Sequence, residues 1–332
     1  MGTLRQFRLD AQTLPTALAA ALFSLMFLGG SLAYDGFFSG QVFLNLFIDN
    51  AFLVVVAVGL TFVILGGGID LSVGSVVALA TMLLAAGIER WHLPPALAML
   101  LVLAGGLLFG TAQGLLVQVV GVPPFIATLT GMFLARGLCY LISIDSIAIH
   151  DPMLTTLSQT RLSAGPLGEV SPSVLVAVVV VVAAAWAAQR SDWGRAVYAL
   201  GGNERSALLM GLPVARTRVG MYAVSGLCSA LGGLLFGVYT LSGYGLHGLG
   251  LELDAIAATV IGGALLSGGV GYVVGTVIGV LSLGVIQTLI MFDGSLSSWW
   301  TRIAIGALLG IFCMLQRAMD WWHRRHQAQR RA

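Results

Sequence analysis

Few ionisable or polar residues interrupt the apolar sequence, so each one narrows the chemistry open to the chain. Asp70 lies in GGGIDLSVGS (66–75). Three glycines break a helical pattern there, and Asp70 and Ser72 stand where the next helix would start. A carboxylate at a helix N-terminus can accept free backbone N–H groups and meets the positive end of the dipole. Asp70 therefore reads as a cap at a helix break, with contact to a substrate or a coupling proton as the functional alternative. Asp254, in GLELDAIAATVIGGALLSGGVGYVVGT (250–276), opens a second segment in the same manner. Pro123 and Pro124 precede FIATLTGM, where Phe125, Thr128 and Thr130 are candidates for a translocation path or gate. The two threonines can instead bond backwards within their own helix. Gln287, Trp299 and Trp300 could bind a sugar by hydrogen bonding and stacking, or the tryptophans could belong to an interfacial belt.

Catalysis finds little support. HExxH and CxxC are both absent, and His150 and His247 lack metal-ligand spacing. Ser225-Gly226 has no histidine at depth to activate the serine, so neither a catalytic nor a metal site is expected. Cys139, Cys228 and Cys313 are far apart within apolar runs and read as small core residues. All 16 basic residues are Arg. Without Lys there is neither a Walker A phosphate loop nor a Schiff base. The chain is thus expected to bind no cofactor of its own. A net charge of +2 argues against a nucleic-acid partner.

The elements that carry these residues follow from composition. Of the 332 residues, 58% are hydrophobic and 9% charged, against about 25% charged in an ordinary soluble domain. Mean hydropathy is +0.96. This predicts an all-α polytopic membrane protein, a single transmembrane domain over 1–332. Gly and Pro punctuation divides the apolar sequence into about ten helices: 16–34, 51–66, 72–88, 95–120, 125–143, 172–189, 219–242, 254–267, 271–292 and 299–316. The first reads as a retained helix, not a removable leader. The second, third and eighth are short, which suggests broken helices lining a cavity. IDLSVGSVVALA and LDAIAATVIGGA are faintly alike and would run in opposite directions, as in an inverted repeat.

Arginine placement orients the chain. Ten crossings with both termini in the cytoplasm put Arg5 and Arg8 inside, with Arg190, Arg195, Arg205, Arg216 and Arg218 in a cytoplasmic loop over 190–218. Arg317, Arg324, Arg325, Arg330 and Arg331 fall in a basic cytoplasmic tail, 317–332, which Trp321 and Trp322 would anchor at the lipid surface. In the loop, Asn203 can cap a short helix from Glu204 to Met210, and Gly211 can end it. Leu208, Leu209 and Met210 then form an apolar patch in water, a docking surface unless the helix folds back onto the bundle. Segment 144–171 would lie outside, as a short cap or a linker.

GGGIDLSVGS, PPFIATLTGM, RAVYALGGNERSALLMG and ELDAIAATVIGGALLSGGVG occur in this order along nearly the whole chain. Together they resemble the permease subunits of bacterial sugar ABC importers, in the ribose, xylose and autoinducer branch. Segments 49–75 and 286–306 are most similar to permeases of galactofuranose importers. Ribose-type members usually carry Asn-Gly near 287–288, where Gln287-Thr288 stands here. The resemblance implies a permease in the bacterial inner membrane, paired with a second copy or a paralogue. It also implies a cytoplasmic ATP-binding subunit that uses ATP and Mg, and a periplasmic sugar-binding protein. Asn203–Gly211 falls where the family places its coupling helix. A self-sufficient secondary sugar carrier is the main rival; it would need no docking helix and would use buried ionisable groups such as Asp70 or Arg136. A third alternative is the same architecture with another cargo, such as a different sugar, an autoinducer, a nucleoside or a branched-chain amino acid.

Overall fold

The computed structural model describes residues 14–297 and 299–329, with side chains over 15–297 and 299–314. Arg5, Arg8, Arg330 and Arg331 lie outside the described residues. So do the side chains of Arg317, Trp321, Trp322, Arg324 and Arg325.

Thirteen α-helices are described: α1 (Leu14–Ala33), α2 (Gly40–Leu65), α3 (Val73–Glu89), α4 (Pro95–Leu115), α5 (Pro124–Ile142), α6 (Pro152–Gln159), α7 (Pro172–Arg190), α8 (Asp192–Gly202), α9 (Glu204–Leu209), α10 (Val214–Thr240), α11 (Leu251–Ile261), α12 (Val273–Asp293) and α13 (Trp299–Gln329). Among the described residues, α1, α2, α4 with its terminal π-helical turn, α5, α7, α10 and α12 are long and apolar enough to cross a bilayer. α3 and the apolar part of α13, Trp299–Met314, are shorter. Proline begins α4, α5 and α7. Its fixed φ suits the first helical turn, where its missing N–H removes no bond.

Several sequence boundaries move: α10 starts at Val214 and not 219, and α13 runs to Gln329 and not 316. The second helix starts at Gly40 instead of 51, capped by Ser39, which accepts the Val42 N–H at 3.1 Å. Asp49 and Asn50 made that stretch look like a loop. In the helix they find partners: Asn50 donates to the Leu46 carbonyl at 2.9 Å, and Tyr239 donates to Asp49 at 3.3 Å. The eighth helix is α11, half the length needed to span and shifted to Leu251–Ile261. Gly262 and Gly263 end it, Gly263 with φ +98°.

The missing half of that crossing is non-helical chain: a two-residue strand followed by turns over 245–250. Residues 242–243 pair with 147–148 at one end of the bundle. Gly243 then packs on Thr81 and Ala85, and Gly248 on Gly74 and Val77, so 242–250 descends along α3 to the start of α11. Non-helical backbone inside a bundle requires partners within the protein. Arg136 on α5 supplies two, donating to the carbonyls of Gly245 and of His247, the latter at 2.9 Å.

α10 lies at the centre, against α2, α3 and α4. Gly106 and Gly110 of α4 meet Gly226 and the Tyr222 backbone of α10 so closely that a Cβ at either would collide. Small residues permit this approach, which lets van der Waals contact hold helices together in lipid. Two glycine-rich breaks, 66–72 and 262–272, meet at the arginine-rich end. The Gly269 N–H donates to the Leu65 carbonyl at 2.8 Å, and Gly268 packs on Gly67. The first turn of α1 is at the same end, with Thr16 donating to the Gly262 carbonyl at 3.3 Å.

Segment 144–171 folds as a cap on the other end. Asp151 caps α6 by accepting the Met153 N–H at 2.9 Å, and Leu154 is fully buried. Glu89 accepts the His150 N–H at 2.6 Å.

Candidate functional site

The loop after α7 contains two helices, where the sequence predicted one. Ser191 caps α8 by accepting the Gly194 N–H at 2.9 Å. Ala196, Val197 and Leu200 are buried on the bundle, and Trp193 lies against Phe62 with ring centroids 4.9 Å apart. Their i, i+3, i+4, i+7 spacing was the signal available in the sequence. Gly201 packs on the Leu65 carbonyl, and Tyr198 donates to the Gly271 carbonyl at 2.7 Å. α8 thus touches both glycine-rich breaks. Burial pushes the Tyr198 phenol up to about 12, which keeps it a donor at neutral pH.

α9 is built as its sequence predicts. Asn203 accepts the Ser206 N–H at 2.9 Å, and Gly211 adopts φ +75° just beyond the helix. Ala207 turns inward, while Leu208, Leu209 and Met210 are 55%, 89% and 66% exposed. Glu204 fixes the helix to α10 through Arg218 at 2.6 Å. Arg218 also donates to Gln118, in the π-helical turn ending α4, at 2.8 Å.

The Glu204–Arg218 pair borders a cavity of about 530 Å³. Gly66, Gly67 and Gly68 of the first break form another wall, with Pro123, Pro124, Tyr222 and Ser267. Its position joins the docking-type helix to the helix break.

Behind that break, Asp70 is buried among hydroxyls. One carboxylate oxygen accepts the Ser72 N–H at 2.9 Å and the Ser72 hydroxyl at 2.6 Å. The other accepts Ser225 of α10 at 2.7 Å. The Gln113 side-chain amide of α4 lies 3.2 Å from the Ser72 hydroxyl. Asp70 therefore closes a turn within the break and does not cap α3, whose N-cap, Ser72, makes no side-chain capping bond; it also ties the break to α10. Asp254 differs: it sits inside the first turn of α11 and pairs with Arg302. The faint likeness of the two segments does not extend to these carboxylates.

Thr128 and Thr130 bond backwards, to Pro124 at 2.9 Å and to Ile126 at 2.9 Å. Thr128 is buried, 3.5 Å from the Ile69 carbonyl, whereas Thr130 and Phe125 face outward from the bundle. Gln287 and Trp299 do come together. They line a cleft of about 420 Å³ with Asp254, Thr301 and Arg302; Trp300 is exposed and does not line it. Sequence reasoning left Arg302 unassigned and missed its pairing with Asp254, because 48 residues separate the two.

Interrupted apolar helices around an interior of hydroxyls, with an exposed amphipathic helix at one end, define a transport permease. The chain belongs to the family described as branched-chain amino acid transport system / permease component, whose model matches residues 42–313. It is a multi-pass inner-membrane protein. It is 48% identical to the inner membrane ABC transporter permease protein YjfF of Escherichia coli strain K12, over 96% of each chain. It is 37% identical to the fructose import permease protein FruG of Bifidobacterium longum, over 94% of this chain and 93% of that one. It is 38% identical to the ribose import permease protein RbsC of Bacillus subtilis, over 82% and 84%. No solved structure matches the chain.

Proposed function

We propose that the chain is the membrane-spanning permease of an ATP-driven sugar importer, carrying a monosaccharide of the galactofuranose type. A periplasmic binding protein delivers the sugar, and two ATP-binding subunits dock on the cytoplasmic face of a permease pair. The observation that carries this reading is α9: a capped, ion-paired helix that holds three large apolar side chains in water at the arginine-rich end. Such a patch is stable in solution only when a partner covers it.

The physical sequence is short. A neutral sugar needs hydrogen-bonding groups and low barriers, since tight binding along the path would slow its release. Movement of the ATPase dimer displaces α9, and α8 carries the displacement to the two glycine-rich breaks. Nucleotide shifts the inward- and outward-open populations to the extent that its partners bind them differently. Relatives named for ribose and fructose import support the sugar class. The family description names branched-chain amino acids instead. A zwitterionic cargo would require separate unpaired charges to meet its two ends.

Leu209→Asp tests the docking claim. It should abolish co-purification of the ATP-binding subunit and sugar uptake, while the permease stays at its normal level in the membrane. Undiminished co-purification would remove the docking role of α9. Mass spectrometry of ligand trapped in the complex with its binding protein then identifies the cargo; an amino acid there would overturn the sugar reading.

A further inference from the structure

Arg302 and Asp254 are joined end-on. One guanidinium nitrogen, Nη1, donates to both carboxylate oxygens, at 2.7 and 2.8 Å. A side-on pair would use two nitrogens against two oxygens. The end-on arrangement leaves Nη2 and Nε of Arg302 without a protein partner among the described residues, and the Arg302 side chain is 50% exposed. Arg302 lines the cleft of about 420 Å³ between α11, α12 and α13.

The rest of the lining completes a recognisable chemistry. Gln287 contributes a planar amide with both donors and an acceptor, and Thr301 contributes a hydroxyl. Trp299, 75% exposed, provides a broad flat ring at the rim. Ile290, Met291 and Ile305 give the apolar remainder. The volume lies within the roughly 300–1,000 Å³ of small-ligand pockets.

Charge selects among ligands. The carboxylate and guanidinium cancel one another, so the cleft offers no net attraction to an anion or a cation. It offers an array of hydrogen-bonding groups beside an indole face, which suits a ring with hydroxyls on its edge and C–H groups on its face. The cleft also lies where the non-helical segment 242–250 leads into α11. Interrupted elements of this kind form substrate sites in other transporters.

We propose that Asp254, Gln287, Trp299 and Arg302 form a contact subsite for one neutral monosaccharide ring. The proposal rests on the reading of the chain as a sugar permease. Asp254 holds Arg302 in place, Arg302 and Gln287 bond the ring hydroxyls, and Trp299 covers its apolar face. Binding is weak, as passage requires.

Saturation-transfer NMR suits millimolar affinities. The permease complex, in nanodiscs with its ATP-binding subunits and without the binding protein, is exposed to D-galactose, D-fructose, D-ribose and L-leucine separately. At least one sugar should show transfer to its ring protons. Trp299→Ala should abolish the transfer, and Trp299→Tyr should retain most of it. Arg302→Lys keeps the charge and N–H donors for Asp254 but loses the planar, fixed Nη2 and Nε donors. It should weaken sugar binding about fivefold, the equivalent of one hydrogen bond. Co-purification of the ATP-binding subunits with each variant checks that the complex is intact.

Equal transfer in wild type, Trp299→Ala and Arg302→Lys would overturn the subsite while leaving the sugar reading intact. Absence of transfer from every sugar would overturn the subsite too. Transfer to L-leucine alone would overturn both.

Discussion

Asp70 shows how much a single residue can reveal in sequence and how much it cannot. Three glycines followed by Asp and Ser mark a helix break, and the carboxylate accepts the Ser72 N–H within that break without capping α3. The Ser225 bond was not legible, because it spans 155 residues and depends on α10 lying beside the break. The bonding pattern predicts graded effects. In Asp70→Asn, the amide oxygen can still accept from Ser72, and the amide can donate to the Ser225 oxygen. Transport and membrane levels should stay above about half of wild type, since a neutral hydrogen bond is worth about 1 kcal/mol. Asp70→Ala strands buried hydroxyls and should cost about 1–3 kcal/mol, read as a lower melting temperature of the detergent-solubilised complex. Loss of uptake in Asp70→Asn at normal protein level would instead assign a charged role to the residue.

At the scale of elements, a glycine lets two helix backbones approach closely, but the sequence does not say which pair. The structure assigns Gly106 and Gly110 of α4 to α10, where the backbones touch. Gly110→Val should force the helices apart and remove the protein from the membrane fraction, measured by immunoblot. Gly105→Val, earlier on the same helix and on an open face, should leave the level unchanged, because no atom stands within 4 Å of its side-chain position. The boundaries of α2 and α11 were misread for one physical reason. Asp49 and Asn50 looked like loop residues until their helical partners were known, and 262–267 looked helical until Gly262 and Gly263 were seen to end α11 against Gly275 and the first turn of α1. α8 was missed because its charged and glycine residues concealed a short apolar period. The Glu204–Arg218 link makes a further test of the coupling region. Arg218→Glu should place two carboxylates together, loosen α9 and lower ATP-stimulated uptake several-fold. Adding Glu204→Arg should recover much of that loss, because the pair is then reversed instead of repelled. Equal uptake in the single and double variants would show that the pair does not hold α9.

For the whole molecule, the sidedness of the fold follows from crossings, and crossings from counting broken elements correctly. Among the described residues, seven helices are long and apolar enough to span. An odd number would set the start of α1 and the α13 end on opposite faces. If α3, α13 and the composite of 242–250 with α11 also cross, the tally is ten, and the start of α1, both breaks and α8–α9 share one face, in keeping with the Thr16–Gly262 and Gly269–Leu65 bonds. This predicts a specific labelling pattern. A cysteine replacing exposed Arg205 should react with an impermeant maleimide only after spheroplasts are lysed. A cysteine replacing exposed Met153, in the cap over 144–171, should react while they are intact. Cys139 and Cys228 are buried, and replacing the partly exposed Cys313 (Cys313→Ser) keeps the background low. Labelling of Arg205→Cys in intact spheroplasts would put α9 on the outside. Cytoplasmic ATP-binding subunits could not reach it there, and the exposed Leu208, Leu209 and Met210 would need a different partner.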